Sequence, residues 1–523
     1  MWNLTSSVTS LLSSLSEAQD EIVEAISKLH TIVNFLFGLL SFELTPAEVQ
    51  NEILSCLTTL TEDNKPIVQQ VVDNGDWLKT LLQIKDSGDL KAVTACGVLH
   101  NVFITLQWFD HNTPIEGASD AMLIPTLVKS MEITQVTSNG TNGHVAHSGP
   151  DQILQLALEI TASIATSLQE ALEHESRNEK EFKGFDDSDL GNGEGEEDEM
   201  DADEDLDEGA EGEDGDNDEM NEEEIDADMD LVTGDGPEDD DSLSEEVTLD
   251  RLVRNAAPKI LSLANPSQSP SENGTIQSHA LAALNNIAWT ISSIDFSNSR
   301  LDSLQKFWSN IAQRIWNELI TPVLASNTAD IKLASSITSL AWAVSRSVKG
   351  VIKMHAEEHR KFIALYQASK NLNSSKAQEQ LNGAKKGPDD GTDAFQGLGV
   401  KAIGVLGSLA LEPAPVELNR EIGVFLLTVL AALPDTAAAD AVEAMNQIFD
   451  IYADKSYTFD ESVFWGDGFY KHLEEILLKA RKMAKAIDKR KFGELRARAD
   501  EAVLNLGRFL KYKKTERMSQ KND

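Results

Sequence analysis

Residues 279–291 read HALAALNNIAWTI, with apolar side chains at spacings of three and four, the mark of a helix that buries one stripe. The centre of this stretch, Leu284-Asn-Asn-Ile287, has counterparts in Leu54-Ser-Cys-Leu57, Leu99-His-Asn-Val102, Ile337-Thr-Ser-Leu340, Leu406-Gly-Ser-Leu409 and Met445-Asn-Gln-Ile448. Small residues (Ala95, Gly97, Ala282, Ala283, Ser335, Gly404) recur just before these centres, where stacked helices must approach closely. The intervals of about 40 to 70 residues fit armadillo or HEAT units of roughly 40–47 residues with inserted loops.

Working outward, the same periodicity covers 52–60, 90–103, 333–344, 395–411, 440–452 and 500–510. It also covers 152–168, where Ile153, Leu156, Ala157, Ile160, Ile164 and Leu168 share a face. No run of alternating strand residues competes with it. The expected fold is all-α: an armadillo/HEAT-repeat superhelical solenoid with a concave binding face and a long disordered acidic insertion. An irregular helical domain without true repeats is the competing reading. Stretches 134–150, 186–246, 265–275 and 371–393 read as loops.

The chain has 523 residues, enough for about three domains. Repeats are expected over 1–180, the acidic insertion over 181–250, and further repeats with basic capping helices over 251–523. Of 88 Asp and Glu, 33 lie between 186 and 246, where there is no Lys or Arg; elsewhere 55 acids face 44 bases. Wrapping of nucleic acid by the whole chain is excluded, because counterion release requires a basic surface. A basic protein is the natural partner. Within 222–232, Ile225, Met229 and Val232 fall at i, i+4 and i+7 among Glu222, Glu223, Glu224, Asp226, Asp228 and Asp230. That pattern gives an acidic helix with a thin apolar stripe that folds on a basic partner, although a solvated spacer fits the composition equally.

Cys56 and Cys96 are too few for a disulfide framework or a thiolate zinc cluster and read as buried thiols in a reducing compartment. The start, MWNLTSSVTSLLSSL, has neither the basic nor the long apolar region of a signal peptide. The longest apolar run, 31–40, is broken by Asn34 and is half the length a bilayer needs. A soluble intracellular protein without membrane contact is expected.

Catalytic chemistry finds little support. His355-Ala-Glu-Glu-His359 matches the H-x-x-E-H pattern of inverted zinc peptidases with both imidazoles on one helical face, but no third ligand stands at a recognisable spacing. It reads instead as the solvated face of a charged helix over 349–361. No phosphate-cradling loop occurs, and Gly397-Leu-Gly399 lacks the strand a dinucleotide site requires. No catalytic residue, cofactor or metal is assigned, and the protein is read as a non-enzyme.

The informative constellation lies in 440–454, DAVEAMNQIFDIYAD. Ala441, Met445, Ile448 and Tyr452 make a core stripe, while Glu443, Gln447, Asp450 and Asp454 fall on another face at i, i+4, i+7 and i+11. Such an acidic stripe suits a basic extended peptide through charge-assisted hydrogen bonds; an outer, solvated face is the alternative. Asn285, Asn286, Trp289 and Trp342 are candidate groove contacts, with core packing of the Trp residues the competing reading. From 479 to 517, 14 Lys and Arg face five acids. This segment, anchored by Leu504, Leu506, Phe509 and Leu510, suits a terminal cap, with RNA contact or a localisation signal as the alternative.

AMNQIFDIYAD at 444–454, Leu495-Arg496, VLNLGRFLKYK at 503–513, and AALNNIAW at 282–289 after a long acidic insertion together resemble the symportin family, whose animal relative is the HEAT-repeat-containing protein three. The similarity spans about 43–514, outside the loops. It implies an adaptor that escorts newly made large-subunit ribosomal proteins five and eleven into the nucleus with an importin and then supports assembly of the 5S ribonucleoprotein. In such proteins the basic tail of ribosomal protein five lies in the groove, and an insertion helix grips the RNA-binding face of ribosomal protein eleven. A monomer shuttling between cytoplasm and nucleus, touching 5S RNA only indirectly, is implied. The Pro-Tyr signal for a transportin-type importin, usual ahead of the first repeats, is not found in this sequence, so import competence is in doubt even where cargo binding is not. A general importin-like or scaffold solenoid for other basic cargo, such as histones, is the alternative function.

Overall fold

Local sequence sets the helix limits. Asn64 caps a helix by accepting from Ile67 N, with Pro66 in its first turn, and Asp330 caps another by accepting from the N–H groups of Lys332 and Leu333. Lys349 and Gly350 (φ 42° and 70°) end that second helix in left-handed backbone. A computed structural model describes residues 2–137, 150–182, 247–265, 274–381 and 394–520, apart from positions 19, 89, 116, 297, 298, 327–329 and 356.

Every regular element among the described residues is helical. In chain order these are α1 (Trp2–Ala18), α2 (Asp20–Ser27), α3 (His30–Leu40), α4 (Ala47–Thr61), α5 (Lys65–Asp73), α6 (Gly75–Lys85), α7 (Leu90–Thr105), α8 (Ile124–Thr137) and α9 (Pro150–Phe182). Then come α10 (Val247–Arg251), α11 (Ala257–Ala264), α12 (Gly274–Ser292), α13 (Asp302–Ile315), α14 (Thr321–Ala325), α15 (Ile331–Val348) and α16 (His359–Leu381). The chain closes with α17 (Leu398–Leu409), α18 (Val416–Ala431), α19 (Ala438–Ile451), α20 (Phe469–Ala486) and α21 (Gly493–Gln520). Five-residue π-helical turns at Leu252–Ala256 and Trp316–Ile320 each come just before a proline, Pro258 and Pro322. The widened turn absorbs the hydrogen bond that proline cannot make.

Residues Met1–Glu173 and Glu246–Asp523 form one unit; His174–Glu245 forms a second, of which only the end of α9 is described. Within the first unit, helices of one row stack each on the next: α1, α4 and α7, then α12, α15, α17, α19 and α21. Between α7 and α12 lies α9, joined to α7 through His100 and Ser163 and to α12 through Asn286 and Thr290. A second row backs the first, with α6 behind α7, α11 behind α12, α16 behind α17, α18 behind α19 and α20 behind α21. This is the nearest-neighbour stacking of a repeat solenoid.

All six repeated centres fall on the first row, on α4, α7, α12, α15, α17 and α19, and both apolar ends of each are at most 1% exposed. Each such side chain contributes roughly 1.5–3 kcal/mol by leaving water. On α9, Ile160 and Ile164 are buried equivalents that the repeated centres did not include. The stripe of Ala441, Met445, Ile448 and Tyr452 is buried; Tyr452 packs against Phe459, Phe464 and Phe469 and donates to Asn419 at 2.9 Å.

Several sequence expectations are corrected here. Ala282 is exposed and does not mark a close approach. Leu504 is 54% exposed, because two residues from Leu506 and six from Leu510 put it on the opposite side of α21, whereas Leu506 and Leu510 are buried. The loop expected over 371–393 is helical through Leu381, since its Asn, Ser and Gln residues carry no breaker before Gly383. No single helix among the described residues is long and apolar enough to cross a membrane.

Candidate functional site: an acidic and aromatic cleft

The site begins with missing side chains on α17. A Cβ at Gly404 would overlap the Trp342 indole of α15, and one at Gly407 would overlap the Gln447 amide of α19. Side chains of both neighbouring helices therefore lie directly on the α17 backbone, as only glycine permits. Above them is a cleft of about 530 Å³. Trp342 and Arg346 line it from α15, Glu443, Asn446, Gln447, Phe449 and Asp450 from α19, and Asn505 and Phe509 from α21. A smaller cleft of about 280 Å³ shares Glu443, Asn446 and Asn505 and adds Phe395, Arg498 and Glu501.

Glu443 is 8% exposed and Gln447 3%. Gln447 Nε2 donates to Glu443 Oε1 at 2.7 Å, while Oε2 receives no hydrogen bond among the described residues. Burial pushes the Glu443 carboxyl up to about 7; the Gln447 hydrogen bond, Arg346 and Arg498 oppose this, and Asp450 adds to it. Asp450 is exposed at the rim, yet the protein around it displaces enough water to raise its carboxyl too, against the pull of Arg346. One turn before Glu443, Asp440 lies against Gly399 and is pushed up to about 6 by burial, with Lys370 opposing.

Of the eight groove candidates, Trp342, Glu443, Gln447 and Asp450 come together in this cleft. Trp289 stands beside it, edge-on to Trp342 with centroids 5.2 Å apart and with the Arg346 guanidinium 5.9 Å over its ring. The Trp342 Nε1 and Asn285 Oδ1 atoms are buried without a hydrogen-bond partner among the described residues. Asn286 is spent elsewhere, donating to Ala162 O and Thr166 Oγ1 on α9. Asp454 leaves the stripe: α19 ends at Ile451, and the Asp454 carboxylate accepts from Ser456 N at 2.8 Å in the following turn, which lowers its pKa.

Arg346, Asn446, Phe449, Asn505 and Phe509 were not read as groove residues. Spacing held part of the signal, since Arg346 is one turn beyond Trp342 and Asn446 one turn beyond Glu443. Phe509, read as a core anchor, touches Phe449 and Phe464 on one side and the cleft on the other. The wall that carries it is fixed by Lys513, fully buried, whose Nζ bonds Asp460 at 2.8 Å and Glu516 at 3.0 Å. Other cations of the basic segment are paired within the fold, Arg496 with Asp500, Arg498 with Glu494 and Arg517 with Glu461.

The remaining chemical candidates are structural. His355 and His359 do not share a helical face, because α16 begins at His359 after the break at Gly350. Between them Glu358, 1% exposed, accepts from Trp316 Nε1, Thr321 Oγ1 and His355 N. His100 contacts Asp120 and Ser163, each at 2.9 Å, in the order of a nucleophilic triad. Ser163, however, lies inside α9, where backbone N–H groups are committed to the helix and cannot form an oxyanion hole. Burial pushes the thiols of Cys56 and Cys96 up to about 12, so they are not nucleophiles near neutrality. Among the described residues no cluster of three or more His, Cys, Asp or Glu could hold a metal ion. The acidic helix expected over 222–232 lies outside the described residues.

A family model described as "SYO1-like, TPR repeats" matches residues 243–517. Symportin 1 of Chaetomium thermophilum is 43% identical across 98% of this chain and 77% of its own length. The Schizosaccharomyces pombe "Armadillo repeat protein involved in nucleocytoplasmic transport Syo2" is 30% identical over 48% of this chain and 34% of its own. "Synchronized import protein 1" of Saccharomyces cerevisiae is 32% identical over 22% of this chain and 19% of its own. With identity sustained along nearly the whole sequence and a family match that takes in every helix lining the cleft, the chain belongs to the symportin family.

Proposed function

We propose that this protein is a non-enzymatic nuclear-import adaptor and dedicated chaperone for newly made large-subunit ribosomal proteins five and eleven, supporting assembly of the 5S ribonucleoprotein. It works as a monomer that shuttles between cytoplasm and nucleus. Family membership supports the transport role, since relatives carry names in nucleocytoplasmic transport and synchronized import. The observation that carries the cargo reading is the cleft, where Glu443 and Asp450 stand among Trp342, Phe449 and Phe509. Carboxylates give a basic tail charge-assisted hydrogen bonds, and aromatic faces give its cations and apolar stems a surface.

The second cargo is assigned to the acidic insertion. A protein that must bind rRNA carries a basic face that adheres to stray nucleic acid before assembly. A segment with 33 acids and no base shields that face, and Ile225, Met229 and Val232 supply the register that charge alone lacks. Mixing the purified chain with ribosomal proteins five and eleven should give a ternary complex on size-exclusion chromatography that persists at 0.3 M salt. Equal retention of histones under the same conditions would favour the general basic-cargo reading, and retention of neither ribosomal protein would refute the adaptor.

A further inference from the structure

We propose that the cleft between α15, α19 and α21 seats a single arginine side chain of the bound segment, and that Glu443 releases its proton to solvent as the guanidinium enters. This rests on the reading of the cleft as a seat for a basic peptide and deepens it.

Geometry carries the inference. Glu443 is a buried carboxyl with one hydrogen bond among the described residues, which leave its second oxygen as an open acceptor. Two turns along α19, Asp450 stands at the rim, and the cleft joining them is large enough for a side chain to enter. Trp342, Phe449 and Phe509 line it. Flat aromatic walls favour a guanidinium over an ammonium, because the guanidinium is planar, stacks, and sheds its water at lower cost.

The charged groups facing Glu443 leave this place open. On its own helix these are Asp450 and, as a neutral donor, Gln447; on α15 there is Arg346; on α21 there are Arg498 and Glu501. Arg346 lies over the Trp289 ring, and Arg498 lies 4.4 Å over Phe395 while paired with Glu494. Neither forms an ion pair with Glu443 among the described residues. An ionised carboxylate so buried is costly, and a proton covers that cost while the cleft is empty. An arriving guanidinium takes over the role, and the proton leaves to buffer. The pKa near 7 set by burial places the exchange near neutrality.

The test is isothermal titration of the full chain with hexa-arginine and with hexa-lysine at pH 7 and 0.3 M salt, in buffers of different ionisation enthalpy. The differences count protons released per protein at saturation. A carboxylate at its ordinary pKa is already ionised at pH 7 and releases no proton, so the count registers a carboxyl whose pKa lies near neutrality. About half a proton is expected with hexa-arginine, and none in Glu443→Gln. Wild-type affinity should rise about tenfold from pH 6 to pH 8 and that of the variant should stay flat. Hexa-lysine should bind at least about fivefold more weakly; equal affinity would overturn the assignment to arginine. Absence of proton release in the wild type, with Asp450→Asn still weakening the peptide, would overturn the exchange and leave the cleft as the seat. Unchanged binding in a Trp342→Ala, Asp450→Asn double variant would overturn both. The wild-type count needs no variant and stands even if Glu443→Gln fails to fold.

Discussion

Where α9 meets α7 and α12, facing polar side chains of the first row are bonded within the stack, whereas around α15, α17 and α19 polar side chains are left facing a cleft. His100 is held between Asp120 and Ser163, Asn101 donates to Thr58 O and Thr61 Oγ1, and Asn286 and Thr290 both donate to α9. At the other end, among the described residues, Glu443 keeps an unfilled oxygen and the Trp342 N–H finds no acceptor. Both regions place glycine where helices of the first row meet. A Cβ on Gly97 of α7 would meet Ile160 and Thr58 at 3.5 Å, ordinary packing distance, while Gly404 and Gly407 of α17 lie under a Trp and a Gln with no room for a Cβ. One repeat can therefore be sealed or opened by what its neighbours lay across the central helix.

The largest expected effect concerns the wall that keeps the cleft open. Lys513→Met leaves Asp460 and Glu516 buried without their cation and should cost about 3–5 kcal/mol in chemical denaturation. A loss under about 1 kcal/mol would mean that α21 is not anchored by this group. Next comes Glu443→Gln. A carboxyl raised from the usual range to about 7 binds more protons folded than unfolded between those values, so wild-type stability falls as pH climbs through that window. The variant should match wild type at about pH 4 and exceed it by up to about 3 kcal/mol at about pH 8. Parallel melting curves across pH would show otherwise.

Smaller effects sharpen the contrast between the two glycines. Gly404→Ala must displace the Trp342 ring and should cost about 1–3 kcal/mol. Gly97→Ala meets only ordinary contacts and should gain about 0.5–1 kcal/mol from helix propensity. Thermal shifts of the same sign in both would erase the distinction. Asp454→Lys, off the helix and committed to the Ser456 turn, should change the affinity for a basic tail no more than about threefold in a direct binding assay.

The row of stacked helices was legible because burial between helices imposes a period near 3.6 on every member, and the six repeated centres obey it. Periodicity misleads where it is read loosely or where a helix stops. Leu504, two residues before Leu506 and six before Leu510, is off their stripe and faces outward, and Asp454 keeps the i+11 spacing after α19 has ended. The H-x-x-E-H pattern failed likewise, because Lys349 and Gly350 break the helix that would have aligned its imidazoles. In the cleft, Trp342, Glu443, Gln447 and Asp450 were readable from helix faces. Arg346, Asn446, Phe449 and Asn505 were not, since their convergence depends on α17 presenting bare backbone, a tertiary effect. Gly404 carried the hint, as a small residue where helices draw close.

The most direct test of the cleft as the cargo seat is the affinity of the labelled basic tail of ribosomal protein five, measured by fluorescence anisotropy in about 0.15 M salt. Asp450→Lys at the cleft is compared with Glu62→Lys at the exposed end of α4 in the sealed region. The account predicts a loss of about 2 kcal/mol, roughly thirtyfold, for Asp450→Lys and less than about twofold for Glu62→Lys. Equal losses in both, or an unchanged affinity in Asp450→Lys with the fold intact, would contradict it.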